Sequence, residues 1–336
     1  MIKHVNLKNF GPIKDLSWNS MGKINLVIGG NGTGKTFLLK SLYSAIRTLE
    51  EFKRGNDKRK SGEIIANRLY WTFQTDKIGD LVSKGADERL SFECQYNKTR
   101  YKYNFGKDTT RQIDSSEELF SPIESDSVFI PAKEILTIQN IILKSREQDK
   151  LFGFDETYYE LARALRTSSS ASPDSCFDDQ CALLEEMLDG RAEFEEASGT
   201  WVFKKGQQKY AIGVVAEGIK KIAMLDCLLK NHYIKSGSVV FIDEPESGLH
   251  PSAISKLIDV IVSLSRKNIQ FFMASHSYFV IKKLYLVAQQ QNISIPIMAY
   301  KNKEWELSDL KEGMPENSII NESILLYKEE VSKVLR

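Results

Sequence analysis

A short segment near the N-terminus constrains the fold of this 336-residue chain more than any other feature. The segment Gly29–Thr36 reads GGNGTGKT and fits the pattern G-x-x-x-x-G-K-[ST]. The apolar run Ile24–Ile28 before it is typical of a buried strand, and the apolar spacing of residues 37–46 after it predicts a helix. A strand, a glycine-rich turn and a helix in this order predict an α/β fold with a phosphate-binding loop.

Each residue type in the loop has a physical role in holding phosphate. Glycines let the backbone fold into a nest whose N–H groups point at phosphate oxygens, and the helix start adds its positive end. Lys35 is predicted to place its charge on the β- and γ-phosphates, and Thr36 to ligate Mg²⁺ through its hydroxyl. The alternative is a glycine-rich turn that binds nothing. The predicted ligands are ATP and Mg²⁺, and the nucleotide-binding residues are Gly29, Gly30, Asn31, Gly32, Thr33, Gly34, Lys35 and Thr36.

A second apolar run, Val239–Ile242, ends in the carboxylates of Asp243 and Glu244. A near-continuous apolar run is typical of a strand buried on both faces of a parallel sheet, and ligands lie at the carboxyl ends of such strands. Asp243 can hold Mg²⁺, directly or through water, and Glu244 can orient an attacking water or accept its proton. The alternative is a strand that ends at a solvated turn.

Residues 244–251, which read EPESGLHP, resemble the Walker B exit and D-loop of ABC-type ATPases. Within that class, the chain most resembles the soluble, non-transporter branch that includes SMC-like repair ATPases and overcoming-lysogenization-defect (OLD-like) ATPases. The resemblance implies Asp243 as the magnesium ligand, Glu244 as the catalytic base and residues 247–249 as the D-loop.

Residues 274–277, which read ASHS, resemble the switch-histidine segment of the same class. The resemblance implies that His276 senses the γ-phosphate. Without it, a lone histidine after a strand would more often be structural. The predicted catalytic residues are therefore Glu244, His276 and Lys35.

Two further segments resemble motifs of the same class less closely. Ala216, Glu217 and Gly218 precede a predicted helix and resemble the reduced signature of OLD-like ATPases. Against the transporter pattern LSGGQ they lack the serine hydroxyl, although backbone N–H groups at a helix start can still contact phosphate. Gln74, after the strand-like run 68–73, is the candidate Q-loop glutamine for nucleotide and magnesium. The alternatives are a helix start without a ligand and a glutamine without a role.

The resemblance and the order of the elements indicate a single ABC-type P-loop head with a mixed or parallel core sheet. An antiparallel β subdomain and a helical lobe complete the predicted fold, with a hairpin over residues 89–105. The predicted divisions are one domain over 1–336, an N-terminal lobe over 1–130, a helical lobe over 131–212 with a Ser-rich loop at 167–175, and a C-terminal lobe over 213–336.

Composition excludes several other classes of protein. The chain has 46 Lys+Arg and 45 Asp+Glu, and a net charge of +1 does not indicate a globally basic nucleic-acid binder. No apolar run approaches the ~18 residues of a membrane span, and the N-terminus lacks the apolar core of a signal peptide. We therefore expect a cytoplasmic protein without a membrane partner. The four cysteines, none in a CxxC pair, are Cys94, Cys176, Cys181 and Cys227.

The resemblance implies an ATP-hydrolysing switch in which chains pack head-to-tail as a homodimer or higher homo-oligomer. Stand-alone ATPases resembling the OLD-like branch often act with a separately encoded effector, a nuclease or toxin, in bacterial antiphage defence. The residues after His276 include one aspartate, Asp309, so we expect no Toprim nuclease in this sequence. Three alternatives stay open: an SMC-like repair or maintenance ATPase that clamps DNA, a scaffold with an inactive ATPase, and a transporter-associated ATPase.

Overall fold

The computed structural model describes residues 1–115, 123, 125–167 and 177–334. Its strands are β1 (Ile2–Phe10), β2 (Ile13–Trp18), β3 (Ile24–Ile28), β4 (Leu90–Tyr96), β5 (Thr99–Phe105), β6 (Asp114–Ser115), β7 (Val128–Ile130), β8 (Arg191–Glu195), β9 (Thr200–Lys205), β10 (Gln208–Ala211), β11 (Val239–Asp243), β12 (Gln270–Ser275), β13 (Pro296–Lys301) and β14 (Glu304–Asp309). Its helices are α1 (Lys35–Glu51), α2 (Ser61–Phe73), α3 (Gln139–Glu147), α4 (Glu156–Ala164), α5 (Asp178–Leu188), α6 (Glu217–Lys230), α7 (Pro251–Arg266), α8 (Tyr278–Gln291) and α9 (Ser318–Val334).

Among the described residues, six strands form a central sheet in the order β14-β13-β3-β12-β11-β7. The pairs from β13 to β7 are parallel and the pair β13–β14 is antiparallel, so the sheet is mixed, as predicted. Strand β12 lies between β3 and β11, with Ser275 opposite Ile28 and Ala274 opposite Asp243. The phosphate loop and the acidic strand end therefore lie at the same edge of the sheet.

Both faces of the central sheet are buried, and alternate residues of each strand enter different cores. In β11, Val240 and Ile242 pack with α6, α7 and α8, whereas Val239 and Phe241 pack with α1, α2 and the N-terminal strands. Since successive side chains of a strand point to opposite faces, both sets must be apolar. This explains the continuous apolar run in the sequence.

Helix α1 lies inside the molecule, and all residues from 41 to 50 are buried. It packs between the central sheet and an antiparallel sheet ordered β2-β1-β4-β5-β6, which includes the predicted hairpin. The hydroxyls of Ser41, Ser44 and Thr48 donate 2.8 Å hydrogen bonds to carbonyls one turn earlier in the same helix. These bonds satisfy polar groups that would otherwise be buried without partners.

The strand expected over residues 68–73 is wrong, because these residues form the second half of α2. Ile64, Leu69 and Thr72 share one face of the helix and are buried in the core that holds α1. The aromatic residues in 68–73 favour strands, but burial of a helical face overrides such propensities.

Residues 131–212, predicted as a helical lobe, contain α3, α4 and α5 together with the antiparallel sheet β10-β9-β8. The sheet covers the part of this segment, from residue 191 on, whose sequence resembles a hairpin. Apart from Thr167, the predicted Ser-rich loop at 167–175 lies outside the described residues. Within the ranges that the structure describes, no helix is both long enough and apolar enough to cross a membrane.

A buried carboxylate fixes α4 to α1 and α2. Glu160 accepts hydrogen bonds from Tyr43 at 2.5 Å, from Arg47 at 3.1 Å and from Arg68 at 2.8 Å. Burial alone would raise the pKa of Glu160, but the two guanidinium groups outweigh it and hold the pKa below its usual value. The carboxylate is therefore ionised and links three helices.

We expect Glu160→Gln to destabilise the fold by up to about 3–5 kcal/mol, since it removes the carboxylate that two buried guanidinium groups share. Arg47 then keeps only its pairs with Glu50 and Asp126, and Arg68 its pair with Glu51. Urea unfolding curves of the variant and the wild type measure the change. Glu93→Gln is the control because Glu93 pairs with the exposed Arg100, and such a pair contributes about 1 kcal/mol or less. Equal losses in the two variants would contradict the structural role of Glu160.

Candidate functional site

The phosphate loop connects β3 to the first turn of α1. Gly32 and Gly34 have φ angles of 75° and 96°, in the left-handed region that favours glycine. A side chain at Gly34 would also place its Cβ 2.9 Å from Pro12. The Thr33 hydroxyl donates to the Gly30 carbonyl at 3.0 Å, which closes the turn. The loop therefore needs glycine at its bends, and it leads directly into the helix start.

Lys35 lies across this loop. Its ammonium group donates hydrogen bonds of 2.9 Å to the carbonyls of Gly29 and Gly30. Burial lowers the pKa of Lys35, and the nearby carboxylates of Asp243 and Glu244 partly offset that effect. The ammonium group of Lys35 is thus held where the loop backbone turns.

Two of the three predicted magnesium ligands, Thr36 and Asp243, are in contact. The Thr36 hydroxyl donates to Oδ2 of Asp243 at 2.8 Å. Burial and the adjacent Glu244 raise the pKa of Asp243, and the Thr36 hydrogen bond lowers it. Among the described residues, Oδ1 of Asp243 is buried without a hydrogen-bond partner. One carboxylate oxygen is therefore free for a further ligand.

The predicted base and the predicted sensor are neighbours. Oε1 of Glu244 lies 3.4 Å from Nδ1 of His276. Glu246 accepts hydrogen bonds from the Ser275 hydroxyl at 2.9 Å and from the His276 amide at 3.1 Å. The ends of β11 and β12 thus place both side chains at the edge that carries the phosphate loop.

The predicted signature residues contact the predicted D-loop of the same chain. Ala216 caps α6, and Glu217, the first residue of the helix, has a side chain that is 69% exposed. A Cβ at Gly218 would lie 2.3 Å from the carbonyl oxygen of Gly248, so the two backbones are in close contact. Gly248 itself has a φ of 73°. The start of α6 therefore packs on the D-loop turn.

Gln74 ends α2 in a left-handed conformation, with a φ of 51°. The ring of the preceding Phe73 lies 4.4 Å from that of Phe37, so this end of α2 is beside the first turn of α1. In the described part of the chain, Nε2 of Gln74 is buried and has no hydrogen-bond partner. Its role toward nucleotide and magnesium stays a prediction.

Two residues at the site were not singled out from the sequence. Glu246 holds the backbone before α8, and Lys221 donates hydrogen bonds to the carbonyls of Asp243 and Glu244. Burial lowers the pKa of Lys221 to about 8, against the opposing effect of nearby carboxylates. The available signals were a second carboxylate two residues after the base and a lysine among the apolar residues of a helix.

The chain matches a known protein family over most of its length. A family described as "AAA domain, putative AbiEii toxin, Type IV TA system" matches residues 24–282, well over half of the chain. The chain belongs to this AAA-domain family. It is an ATPase of the AAA type, and its fold is like that of Smc heads.

Two curated relatives resemble this AAA-domain protein. The Old nuclease of Escherichia phage P2 is 33% identical over 106 residues, which cover 29% of this chain and 18% of the nuclease. The ATP/GTP phosphatase of Helicobacter pylori is 20% identical over 342 residues, which cover 88% of this chain and 90% of the phosphatase. The chain thus spans most of the phosphatase but a small part of the nuclease.

Solved structures of Smc heads share the fold of this AAA-domain protein. One, bound to the C-terminal winged-helix domain of ScpA, has a TM-score of 0.58 at 11% identity and covers 93% of this chain and 99% of its own. Another, with an extended coiled coil and bound to the C-terminal domain of ScpA derived from Pyrococcus furiosus, has a TM-score of 0.51 at 11% identity and covers 98% of each chain. The predicted P-loop head with a mixed sheet is therefore confirmed.

Proposed function

We propose that this chain is an ATP-driven switch that binds ATP with Mg²⁺ at the loop between β3 and α1. The observation that carries the proposal is the 2.8 Å contact between Thr36 and Asp243, which are distant in sequence. A hydroxyl and a carboxylate joined beside a phosphate loop are the ligand types that hold Mg²⁺ in P-loop ATPases. Phosphate release from ATP that requires Mg²⁺ and stops in EDTA would support the proposal, and release unaffected by EDTA would contradict it.

The residues at this edge fit a magnesium ion. Oδ1 of Asp243 is a buried oxygen with no hydrogen bond among the described residues, and Thr36 lies beside it. Mg²⁺ takes oxygen ligands and is usually held by one or two protein groups together with substrate phosphates. When bound, the ion neutralises charge on the phosphate oxygens. We assign Gln74 as a further ligand through its amide oxygen, because the end of α2 that carries it lies beside the first turn of α1, which carries Thr36.

The chain's own side chains supply the remaining chemistry. Lys35 exchanges its two carbonyl partners for phosphate oxygens, with which an ammonium group forms stronger, charge-assisted hydrogen bonds. Glu244 orients the attacking water and accepts its proton as general base. His276, 3.4 Å from Glu244, contacts the γ-phosphate and reports its presence to β12 and α8.

The proposed switch works as a head-to-tail homodimer. Ala216–Gly218 form the start of α6, where backbone N–H groups lack partners within the helix and attract anions. Val214, two residues before this start, is 77% exposed. An exposed apolar side chain beside an anion-binding helix start suits contact with the phosphate loop of a second copy.

We also propose that the chain lies in the OLD-like branch and regulates a separately encoded nuclease or toxin in antiphage defence. The support is the 33% identity to the Old nuclease and a family description that names a toxin–antitoxin system. The product of the adjacent reading frame should co-purify with the chain in ATP but not in ADP. The same recovery in both nucleotides would contradict regulation by ATP.

The alternative is an SMC-like repair or maintenance ATPase that clamps DNA. The likeness to Smc heads concerns the fold alone, and the net charge of +1 does not favour a DNA-binding surface. DNA binding that requires ATP and weakens steeply with salt would favour this alternative. No DNA binding in ATP would favour the effector switch.

We expect Val214→Glu to abolish ATP-induced dimerisation while nucleotide binding stays within about threefold of the wild type, a change of under 1 kcal/mol. A charge at this exposed position would have to be desolvated between the two copies, whereas the phosphate loop of each chain is unchanged. Light scattering in ATP measures the mass. Leu183→Glu on α5, with 45% exposure, is the matched control. A Val214→Glu dimer of normal stability would contradict the head-to-tail arrangement.

A further inference from the structure

Helix α6 carries two consecutive lysines whose burial needs an explanation. Lys220 and Lys221 are each 4% exposed. Lysine is almost never fully buried unless it is paired, because removing its charge from water is costly. Lys220 follows this rule, since its ammonium group lies 3.2 Å from the carboxylate of Glu134. It also lies 3.2 Å from the Thr137 hydroxyl.

Lys221 has a different set of partners. Its ammonium group donates to the main-chain carbonyls of Asp243 at 3.1 Å, of Ala132 at 3.4 Å, and of Glu244 in a shorter contact. An ammonium group has three donors, and three carbonyls accept them. In the described part of the chain no carboxylate forms an ion pair with Lys221. The lysine is therefore directed at the backbone where β11 ends.

That backbone has an unusual conformation. Glu244 has a φ of 48°, in the left-handed region that a residue other than glycine seldom adopts. Its amide donates to the carbonyl of Ala274 on β12 at 2.9 Å, and its carbonyl accepts from Lys221 and from the Ser247 amide, the latter at 3.0 Å. The peptide groups on both sides of Glu244 are thus fixed, one by the sheet and the other by α6 together with the following turn. Together they set the direction of the Glu244 side chain.

We propose that Lys221 is a positioning residue for Glu244: it holds the left-handed turn that directs this carboxylate toward the phosphate edge. The inference rests on the proposed role of Glu244 as general base. Helix α6 contacts the segment 244–251 a second time, where Gly218 packs on the carbonyl of Gly248. The helix therefore contacts this segment at its first residue and again at the turn that contains Gly248.

The test compares Lys221→Met with Lys220→Met, which removes an equally buried ammonium group from the adjacent position. Lys221→Met should lower kcat about 10- to 100-fold, since small misplacements of a catalytic group have effects of this size. The Kd for ATP should stay within about threefold, because the phosphate loop is unchanged. Lys220→Met should keep kcat within about threefold. Equal kcat losses in the two variants would overturn the inference.

A double variant separates positioning from a general loss of structure. If Lys221 acts through Glu244, the pair Lys221→Met with Glu244→Gln has the kcat of Glu244→Gln alone, because both changes remove one function. If Lys221 only stabilises the fold, the two losses multiply, and the inference fails. Should Lys221→Met purify unfolded, Lys221→Gln, which keeps an amide donor, replaces it in the same comparison with the same two readings.

The proposed function can fail separately from this inference. Normal turnover in Glu244→Gln would remove the base assignment whatever Lys221 does. Low turnover in Glu244→Gln, together with wild-type kcat in Lys221→Met, would overturn the positioning role alone.

Discussion

Lys35→Ala is expected to weaken ATP binding at least about 100-fold, a loss of roughly 3 kcal/mol that corresponds to one or two charged hydrogen bonds. The ammonium group of Lys35 lies on the carbonyls of Gly29 and Gly30, at the place where the loop backbone turns toward α1. Its removal leaves the loop amides and the helix end without the ammonium group that is proposed to contact phosphate. Titration calorimetry with ATP and Mg²⁺ measures the effect.

Lys40→Ala is the matched control for that experiment. Lys40 lies on the same helix, but its ammonium group pairs with Asp155 of the α4 cap at 2.6 Å. The control should bind ATP within about threefold of the wild type, a difference below 1 kcal/mol. Normal ATP affinity in Lys35→Ala, or equal losses in both variants, would contradict the phosphate-loop assignment.

The parts of the site that could be predicted are those formed by a continuous stretch of the sequence. Gly29–Thr36 contains the glycines that its turn requires. The strand before it and the helix after it follow from local apolar spacing. The run Val239–Ile242 ends in carboxylates, and parallel pairing places such ends at one edge. The 2.8 Å contact between Thr36 and Asp243 is the result of these two local patterns in one sheet.

Helix α2 shows where local patterns mislead. Its last residues, 68–73, include Tyr70 and Trp71, which favour strands, yet the segment is helical because its other face packs on α1. The Ser44 and Thr72 hydroxyls, 3.3 Å apart, lie at this contact between the two helices. Such a partner is distant in sequence, so residue propensity in a single segment cannot identify it.

The residues whose roles could not be predicted are those whose partners are main-chain groups or distant charges. Lys221 donates hydrogen bonds to the main-chain carbonyls of Asp243 and Glu244. Every residue has such a carbonyl, so the sequence does not indicate which ones the lysine contacts. Glu160 is one of two glutamates in α4, and its role depends on guanidinium groups from α1 and α2. A buried polar residue in an apolar pattern is the available signal, and it indicates a partner without naming it.

The base assignment has an equally large and separate consequence. Glu244→Gln should lower the turnover of ATP by about 10²-fold or more, because an amide cannot accept the proton of the attacking water. Glutamine keeps the size of the side chain, and Lys35, Thr36 and Asp243 are untouched, so ATP affinity should be retained. With hydrolysis blocked, ATP should hold the closed dimer, and the mass in solution should stay doubled. Phosphate release and light scattering measure the two effects.

The control and the contrary outcomes are specific to the position of Glu244. Glu186→Gln on α5, an exposed glutamate beside Lys256, should turn over ATP at the wild-type rate. Wild-type turnover in Glu244→Gln would contradict the base assignment, although His276 lies 3.4 Å away. Low turnover without a trapped dimer would keep Glu244 as base but contradict ATP-driven closure. Low turnover with lost ATP affinity would show instead that the left-handed turn at Glu244 shapes the nucleotide site itself.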